Sequence, residues 1–452
     1  MILKTLKKYL TKHSNTPLVI AYSGGVDSQV LLHAIAQLKQ QNHLSQEILA
    51  IHVNHGLSPF AKQWQDFTKQ QCKTLGINYQ TVNVEIEQKP RISLEAQARD
   101  KRYHALSELS PDNAILLTGH HQDDQVETFF LSLKRGSGLK GLSAMAVSST
   151  FGDKSQQLTR PFLNTSRKDI VQYAQENNLE WIEDESNKNI VFDRNFLRKD
   201  ILPKLNARWA NFDQTVMRSI QHCQDAQTIL DEVAEQDLAH CLIESSIVDI
   251  TALMALSLAR FNQVVRFFIN QHHQLMPSQQ QLLQLRQQLL SAGKDKNPAV
   301  KLGDIWFRRY QNKLYLTPDF KSVAQWEESF TLSEEQKNIK LPDLLGELLI
   351  NKADKSLASQ YTILMSIPSH IDNIAIKFSH DNPQCQPEYR QHSRSLKKVL
   401  QELNIPPWQR KRLPMLYVNN ELAAVIGLFV CQPFLENVHQ QKITIHWHKN
   451  SG

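Results

Sequence analysis

Ser23-Gly24-Gly25-Val26-Asp27-Ser28 is the stretch that decides the fold of the N-terminal part of this chain. It follows the apolar run Leu18–Ala21, which predicts a buried parallel strand. It precedes apolar residues at helical spacing, namely Val30, Leu31, Ala34, Ile35 and Leu38. Two glycines between a strand and a helix let a ligand approach the unpaired N–H groups of the first helical turn. Such a turn is typical of an anion site, most often one for phosphate.

The loop does not match the commonest phosphate-binding sequences, since it has neither the spacing G-x-x-x-x-G-K-S/T nor G-x-G-x-x-G. It resembles instead the PP-loop, S-G-G-x-D-S, of the ATP pyrophosphatases, which bind ATP and cut it between the α and β phosphates. The resemblance implies that Mg²⁺ lies near Asp27 and that ATP is bound by Ser23, Gly24, Gly25, Val26, Asp27 and Ser28. The alternative is an ordinary strand–helix connection in which Asp27 or Ser28 caps the helix.

Length and composition describe a folded protein of two or three domains, with 452 residues and a hydrophobic content of 41%. The apolar run from Leu422 to Cys431 is too short for a membrane span, so we expect no membrane segment. We interpret the basic, amphipathic residues 1–13 as a first helix rather than a transit peptide. Five cysteines without a CxxC pair argue against disulfides, zinc knuckles and iron–sulfur clusters and favour a cytoplasmic location.

Further polar clusters follow the next predicted strands. The run 48–53 predicts a second buried strand that ends in Asn54-His55-Gly56-Leu57. Because ligands of open α/β sheets lie at the carboxyl ends of strands, we expect His55 and Gly56 near the phosphate loop, although a simple strand-ending turn is the alternative. Residues 94–109 predict a helix on which Arg99, Arg102 and Tyr103 share a face. A solvated surface is the alternative for that helix.

The stretch Gly119-His120-His121-Gln122-Asp123-Asp124-Gln125-Val126-Glu127-Thr128 opens another helix after the strand 114–118. Asp124 and Glu127 are three residues apart, so both carboxylates lie on one face of the first turn. One carboxylate there is ordinary capping, but two can hold a cation, either an ammonium group or Mg²⁺. We do not favour a metal site made by His120 and His121 alone, because adjacent side chains point in different directions.

The motifs together resemble those of the tRNA(Ile)-lysidine synthetase family, in that family's order and over about 200 residues. The matching stretches are SGGVDS at 23–28, NHGL at 54–57, EAQARDKRY at 95–103, GHHQDDQVET at 119–128, RGSGLKGL at 135–142 and DESN…RNFLR at 184–198. The resemblance implies a ligase that adenylates the wobble cytidine of the isoleucine tRNA with a CAU anticodon. The ε-amine of free L-lysine then displaces AMP, so the partners are that tRNA, lysine and ATP.

The same resemblance implies roles for individual residues. Asp124 and Glu127 match the acidic positions that hold lysine, and Arg99 matches a basic position near the cytidine and the adenylate. Arg198 is assigned to the same site. The chemistry is reasonable for these residue types, since a lysine amine with an ordinary pKa of about 10.4 must lose a proton before it attacks. We therefore expect Asp124 to bind the ammonium group and then accept its proton.

Strand–helix alternation to about residue 205 predicts an α/β fold, with a doubly wound parallel sheet in an N-terminal PP-loop domain over 1–207. A mainly helical middle domain over 208–320 and a small α+β C-terminal domain over 346–452 follow, both expected to bind tRNA. Within the middle domain, a hairpin turning at Gln311-Asn312 is predicted. The stretch 317–345 is expected to contain a linker. The oligomeric state stays open, with a homodimer as one option.

Residues 390–412 form the clearest basic patch, with a net charge of +6 that equals the formal charge of the whole chain. Cationic side chains beside Trp408 suit a structured RNA backbone, although a solvated helix face is the alternative. The family's C-terminal domain has RS-x-KK and PPW-x-R at these places. We therefore predict an RNA-binding set here, made by Arg394, Lys397, Lys398, Trp408 and Arg410.

Two other functions compete with this interpretation. A tRNA thiolase with a PP-loop generally needs a cysteine pair or cluster cysteines, and only Cys72 lies in the first predicted domain. An RNA-binding protein with a regulatory nucleotide site would need no carboxylate pair beside the loop. Release of AMP and pyrophosphate on addition of tRNA would exclude that second alternative.

Overall fold

The computed structural model describes residues 1–10, 16–56, 58–85, 94–152, 155–185, 189–272, 276–291, 298–331, 336–352, 361–368, 370–371, 373–435, 437–439 and 441–450. Two compact units divide the chain, Met1–Val233 and Ala234–Gly452. Leu57, Ser186 and Asn187 of the quoted motifs lie outside the described residues, as does the side chain of Glu95.

The first unit is built on a six-stranded sheet in the order β3-β2-β1-β4-β6-β5. Its strands are β1 (Leu18–Ala21), β2 (Ile48–Asn54), β3 (Asn78–Asn83), β4 (Ile115–Leu117), β5 (Ser148–Phe151) and β6 (Gln156–Thr159). Five of them are parallel, which confirms the predicted doubly wound sheet, and β5 adds an antiparallel edge strand. Strands β2 and β3 follow on one side of β1, whereas β4 and β6 lie on its other side. Open α/β folds bind ligands where the strand order reverses in this way, at the carboxyl ends of the strands, here those of β1 and β4.

Helices cover both faces of this sheet. The helices described in residues 1–241 are α1 (Ile2–Leu10), α2 (Val26–Gln40), α3 (Ala61–Thr74), α4 (Leu94–Leu109), α5 (Gln122–Lys134), α6 (Leu139–Leu142), α7 (Arg167–Glu176), α8 (Asp193–Phe196), α9 (Leu202–Arg208) and α10 (Phe212–Cys241). A π-helical turn, Leu197–Ile201, joins α8 to α9. The predicted first helix forms, because Ile2, Leu6 and Leu10 are buried in the core of the sheet. Ser166 caps α7 by accepting the Asp169 N–H, as the S-x-x-D spacing predicts.

The second unit begins at Ala234 within α10, and the next elements that the structure describes are three helices and a sheet in the order β7-β8-β11-β10-β9. These elements are β7 (Leu242–Glu244), β8 (Ile247–Asp249), α11 (Ile250–Ala255), α12 (Leu258–Gln271), α13 (Gln279–Ser291), β9 (Ala299–Leu302), β10 (Ile305–Tyr310) and β11 (Lys313–Pro318). The predicted hairpin forms with Gln311 at a φ of +53°. Helices α11 and α12 are separated at Leu256-Ser257, and Ser257 caps α12 by accepting the Arg260 N–H.

The C-terminal part of this unit packs two sheets and a helix around one core. The sheet orders are β12-β16-β19-β20-β21 and β13-β14-β22-β15. The elements are β12 (Glu327–Phe330), β13 (Gln336–Lys340), β14 (Glu347–Lys352), β15 (Thr362–Ile367), β16 (Ile374–Lys377), β17 (Gln384–Cys385), β18 (Arg394–Ser395), α14 (Leu396–Glu402), α15 (Pro407–Arg410), β19 (Met415–Val418), β20 (Glu421–Val425), β21 (Phe429–Val430), a 3₁₀ turn (Gln432–Phe434) and β22 (Gln441–His448). Strands β12 and β13 lie in the stretch 317–345, where the sequence predicted a linker.

All five cysteines are free thiols. Among the helices that the structure describes, none combines the length and the apolar character needed to cross a bilayer.

Candidate active site

The PP-loop is closed around the Ser28 hydroxyl at the start of α2. Ser28 Oγ lies 3.0 Å from Ser23 Oγ and accepts the Gly24 N–H at 3.1 Å. Gly24 has a φ of +87°, and a Cβ there would clash with Ile182 and approach Thr68 Cγ2 to 3.0 Å. Glycine is therefore required at position 24 by both conformation and space. Gly25 is the N-cap of α2, so the first amides of the helix face outward from the loop.

The loop after β4 packs directly on the PP-loop helix through Gly119. A Cβ at Gly119 would lie 2.9 Å from the carbonyl carbon and oxygen of Asp27. Only glycine allows this approach, which brings the start of α5 beside the start of α2. The motifs at 23–28 and 119–128 therefore lie side by side at the carboxyl ends of β1 and β4.

An acidic group with one histidine forms the centre of the site. His121, whose side chain is 1% exposed, has Nε2 at 3.6 Å from Asp27 Oδ1 and at 3.4 Å from Asp124 Oδ2. Its Nδ1 lies 3.7 Å from Asp123 Oδ1. Burial lowers the pKa of His121, but the interaction with Asp123 and the charges of Asp124 and Asp27 outweigh burial and raise it. The imidazolium form is thus favoured between these carboxylates.

Asp27 has the chemistry of a cation ligand. Burial raises the pKa of its carboxyl group, against the opposing effect of His121 and Arg167. Within the part of the chain that the structure describes, its buried Oδ1 accepts no hydrogen bond. No group of three His, Cys, Asp or Glu side chains among the described residues is arranged to hold a metal. A Mg²⁺ ion at Asp27 would therefore need phosphate and water ligands, as is usual for this ion.

Asp124 and Glu127 lie on one face of α5, as predicted, but their surroundings differ. Asp124 Oδ2 accepts the His121 N–H at 3.0 Å, and its Oδ1 is 3.5 Å from Arg198. Glu127, 1% exposed, receives a bidentate pair from Arg198 at 2.7 and 2.9 Å and an ion pair from Arg194 at 2.9 Å. Burial lowers the pKa of Arg198, but its bonds to Glu127 outweigh this and raise it. Glu127 is thus fully engaged by two guanidinium groups.

Arg194 is a site residue that the sequence analysis did not single out. It precedes Arg198 by four residues, and this spacing in RNFLR places both on one helical face. The four-residue repeat of arginine was the signal that could have identified it. The π-helical turn Leu197–Ile201 carries Arg198, and such turns are frequent at functional sites.

A basic wall forms another part of the site, and it is defined by Arg99 and Arg102 of α4 with His55 and His120 after β2 and β4. Arg99 and Arg102 lie 5.5 and 5.4 Å from the Tyr103 ring, which confirms that these three share a face. Burial, with Arg102 and His52, lowers the pKa of His55 to about 4. Burial is also the main reason that the pKa of His120 is lowered to about 3. Neutral imidazoles beside arginines give a wall that repels cations and suits an anionic ligand.

The remaining predicted ATP-binding residues lie at the same edge. Val26 is buried, so its side chain packs in the core and only its backbone can contact a ligand. Gly56 is exposed, with a φ of +63°, and donates its N–H to Asn54 Oδ1 at 2.8 Å. The strand ends are tied to the segment after α7, since the Ile182 N–H donates to Gly24 O at 2.9 Å.

No cysteine chemistry is available at this site among the described residues. Cys72, the one cysteine in residues 1–207, is completely buried, and burial raises the pKa of its thiol to about 12. A thiol of this kind is inert.

The predicted RNA-binding residues separate into two groups in the second unit. Arg394, Lys397 and Lys398 are exposed at the start of α14. Arg394 forms an ion pair of 2.9 Å with Glu402, which Arg390 also contacts. These side chains form an open basic surface.

Trp408 and Arg410 instead pack against the hairpin β10–β11. Trp408 lies edge-on to Tyr315 at 5.2 Å and to Tyr310 at 6.3 Å. The Arg308 guanidinium is 5.7 Å from the Trp408 ring. Arg410 donates to Ile405 O at 2.7 Å and to the Tyr310 hydroxyl at 3.2 Å. This aromatic cluster joins the middle and C-terminal parts of the unit.

Comparison with known proteins gives matches along most of the chain. The PP-loop domain family matches residues 1–205, the TilS substrate binding domain residues 249–315 and the TilS substrate C-terminal domain residues 374–447. A Coxiella burnetii protein named tRNA(Ile)-lysidine synthase is 38% identical over 436 residues, covering 95% of this chain and 93% of that protein. A Serratia proteamaculans protein of the same name is 38% identical, covering 96% and 95%.

Among solved structures, the U34-tRNA thiolase NcsA of Methanococcus maripaludis aligns at 18% identity with a TM-score of 0.41, covering 49% of this chain and 77% of that chain. This structural likeness is too low to carry a functional argument.

Proposed function

The chain belongs to the tRNA(Ile)-lysidine synthase family, and from this premise we infer that it is a ligase that joins lysine to tRNA(Ile) at the expense of ATP. The observation that carries the inference is the packing of a closed PP-loop against the Asp124–Glu127 turn through Gly119. This packing supports the proposal of a phosphate site next to a site for a cationic substrate at one edge of the sheet.

The proposed reaction has two steps on the wobble cytidine of the tRNA with a CAU anticodon. The cytosine O2 attacks the α-phosphorus of ATP, an O–P bond forms, and pyrophosphate leaves. The ε-amine of free L-lysine then attacks C2, the C2–O bond breaks, and AMP leaves with that oxygen. The ammonium group of lysine must lose a proton before the amine can attack, so a positioned group that accepts this proton is required.

We propose that Ser23, Gly24, Gly25, Val26, Asp27 and Ser28 cradle the triphosphate, with His55 and Gly56 at the neighbouring strand end. The free amides at the start of α2 suit the negative charge of the phosphates. Mg²⁺, when bound, would be held by Asp27 and would neutralise phosphate charge. The buried Oδ1 of Asp27, which accepts no hydrogen bond among the described residues, fits such an ion.

For lysine, we propose that Asp124 binds the ammonium group and accepts its proton. Asp124 is contacted at one oxygen by a backbone amide, and Arg198 lies 3.5 Å from the other. Glu127 contributes by the second negative charge of the pair and by holding Arg198 beside Asp124. Direct contact of Glu127 with lysine would require that one of its two arginines moves away.

Arg99 and Arg198 complete the proposed site on the side that would bind the anionic adenylate. Arg99 lies on the basic wall, where a guanidinium group suits the phosphate of an adenylated cytidine. Arg198 lies beside Asp124 and Glu127, and its guanidinium group would stabilise charge on the leaving AMP.

We propose three working parts, a catalytic domain over 1–207 and tRNA-binding domains over 208–320 and 346–452, in a cytoplasmic enzyme. Arg394, Lys397 and Lys398 would contact RNA phosphates directly. Trp408 and Arg410 would hold that surface in place through the hairpin, and Trp408 would offer RNA only the part of its ring left uncovered.

The proposed RNA surface is tested by the salt dependence of tRNA binding. Removal of one lysine–phosphate interaction should lower the slope of log K against log salt by about 0.7 to 0.9, so Lys397→Ala with Lys398→Ala should lower it by up to about 1.8. Lys340→Ala, at an exposed lysine of β13, is the control and should leave the slope unchanged. An unaltered slope in the double variant would exclude these lysines from the RNA contact.

The nucleotide chemistry is tested by following ATP on addition of tRNA with a CAU anticodon. We expect ATP to be converted into AMP and pyrophosphate only when that tRNA is present. Release of ADP and phosphate, or turnover that does not need tRNA, would contradict adenylation of the tRNA.

A further inference from the structure

We propose that an apolar shelf beside the active site stacks the anticodon-loop bases next to the target cytidine. The shelf consists of Ile190, Val191, Phe192 and Phe196. It rests on the proposed function, because it assigns a binding surface for the tRNA that the reaction uses.

The four side chains of the shelf are unusually exposed to solvent for apolar residues. The exposed fractions are 55% for Ile190, 85% for Val191, 39% for Phe192 and 44% for Phe196. Apolar side chains of this size are normally buried, and several of them exposed together mark an interaction surface.

The segment is held in one conformation by its own hydrogen bonds. Asn189 Oδ1 accepts the Val191 N–H at 3.0 Å, and Asn189 O accepts a bond from the buried Asn195 amide at 2.8 Å. The Phe196 N–H donates to Phe192 O at 3.0 Å, so the two rings lie one helical turn apart on the same face. Two aromatic rings are thus presented to solvent by an ordered turn.

The opposite face of the same turn enters the active site. Arg194 and Arg198 extend from it to Glu127, at 2.9 and 2.7 Å. The segment is also fixed to the end of α5 by an exposed ion pair of 2.6 Å between Lys134 and Asp193. A nucleotide that places its base at the carboxylates would therefore have its neighbours beside the shelf.

Charge favours RNA over another protein as the occupant. Residues 189–208 contain five basic side chains and two acidic ones. The basic loop after α5 adds Arg135 and Lys140. Exposed aromatic rings between cationic groups are how proteins bind the unstacked bases of single-stranded loops. An apolar protein partner would not need this excess of positive charge.

The shelf is tested with a full-length tRNA in which 2-aminopurine replaces the adenine of the CAU anticodon, the nucleotide that follows the target cytidine. Stacking of 2-aminopurine on the shelf should quench its fluorescence when the unmodified enzyme binds. Phe192→Ala with Phe196→Ala should lose most of that quenching. Equal quenching by both proteins at saturating tRNA would overturn the shelf.

Kinetics separate stacking from a structural role. Each ring removed should raise the KM for tRNA about tenfold, while the KM values for ATP and lysine stay unchanged. Phe192→Tyr should keep the original KM and Phe192→Leu should not, because leucine is apolar but has no π-face. Ile229→Ala, at an exposed apolar residue of α10, is the matched control. Equal effects on all three KM values, or full rescue by leucine, would reject base stacking.

Failure of the shelf can be distinguished from failure of the proposed function. If the unmodified enzyme quenches the probe through Phe192 and Phe196 but transfers no lysine, the shelf stands and the ligase function falls. If it transfers lysine and the double variant keeps both quenching and KM, the function stands and the shelf falls.

Discussion

Asp124 and Glu127 show how two carboxylates one turn apart acquire different properties from their neighbours. Asp124 is contacted by a backbone amide and approached by Arg198, whereas Glu127 is enclosed by two guanidinium groups. Spacing on α5 could be predicted from sequence, since it follows from the helical period. The arginines that engage Glu127 come from residues 67 and 71 positions further along the chain, so their contact depends on the tertiary fold.

Asp124→Asn should separate the two chemical steps. Asparagine keeps an oxygen that can accept the His121 N–H but cannot accept a proton from lysine, so lysine transfer should fall at least about 100-fold. The rate of tRNA-dependent pyrophosphate release, which depends on ATP binding and adenylation, should change less than about threefold. Single-turnover lysine transfer and tRNA-dependent pyrophosphate release are the two measurements.

Asp112→Asn is the control for that variant, because it removes the charge of an exposed aspartate that precedes β4, at the end of that strand opposite to the site. It should retain transfer. If Asp124→Asn impairs pyrophosphate release as much as lysine transfer, Asp124 is not the lysine base.

His55 should make stability depend on pH below neutrality. Its pKa is about 4 in the folded chain, lowered chiefly by burial, against an ordinary value of 6.5. Between these values the unfolded chain binds a proton that the folded chain does not, so the free energy of unfolding falls as pH is lowered from 6.5 to 4. His55→Gln should flatten this dependence in urea unfolding experiments. His104→Gln, at a histidine 72% exposed on α4, should not.

Elements of the first unit meet at Gly119, where the loop after β4 makes its close contact with the start of α2. Gly119→Ala forces a methyl group to within 2.9 Å of the Asp27 carbonyl, so the end of β4 and the start of α2 must separate. We expect a loss of about 1–3 kcal/mol in stability and weaker ATP binding. Thermal unfolding with and without ATP measures both.

Gly138→Ala is the matched control for Gly119→Ala. Gly138 is the N-cap of α6, and a Cβ there meets nothing within 4 Å. Equal stability of the two variants would show that the close approach at Gly119 has no energetic weight.

Elements of the sheet were predictable where apolar runs are long, and less so where they are short. Leu18–Ala21 and the run 48–53 form β1 and β2, because buried parallel strands are continuously apolar. The antiparallel strand β5, Ser148–Phe151, has no such run and was not predicted. The strands β12 and β13 contain acidic and polar residues on exposed faces, so their sequence resembles a linker.

Within the second unit, the cluster around Trp408 joins the hairpin β10–β11 to the C-terminal part. From the local sequence alone, Trp408 was predicted to bind RNA. Nothing local in Pro406-Pro407-Trp408 indicates that Tyr310 and Tyr315, almost 100 residues earlier, cover its edges. The exposed lysines of the same patch are solvated as the charge pattern suggests. The long-range packing of Trp408 therefore could not be predicted from the local sequence pattern.

Trp408→Ala should loosen the second unit without unfolding the first. Removing this partly buried ring should cost about 2 kcal/mol, less than for a fully buried tryptophan, because part of the ring is already exposed to solvent. Urea unfolding should show an earlier transition, and limited proteolysis should become faster between β11 and β12. Tyr389→Ala, at a ring 53% exposed, is the control and should do neither. Unchanged unfolding would show that the cluster does not stabilise this unit.

The measurement that tests the central claim most directly is transfer of radiolabelled lysine into tRNA, with and without ATP. The predicted result is ATP-dependent label in the isoleucine tRNA with a CAU anticodon, located at the wobble cytidine, with one AMP and one pyrophosphate released for each lysine incorporated. Release of pyrophosphate without lysine incorporation would leave adenylation but contradict lysine as the nucleophile. No label and no pyrophosphate from folded protein that binds this tRNA would contradict the ligase function as a whole.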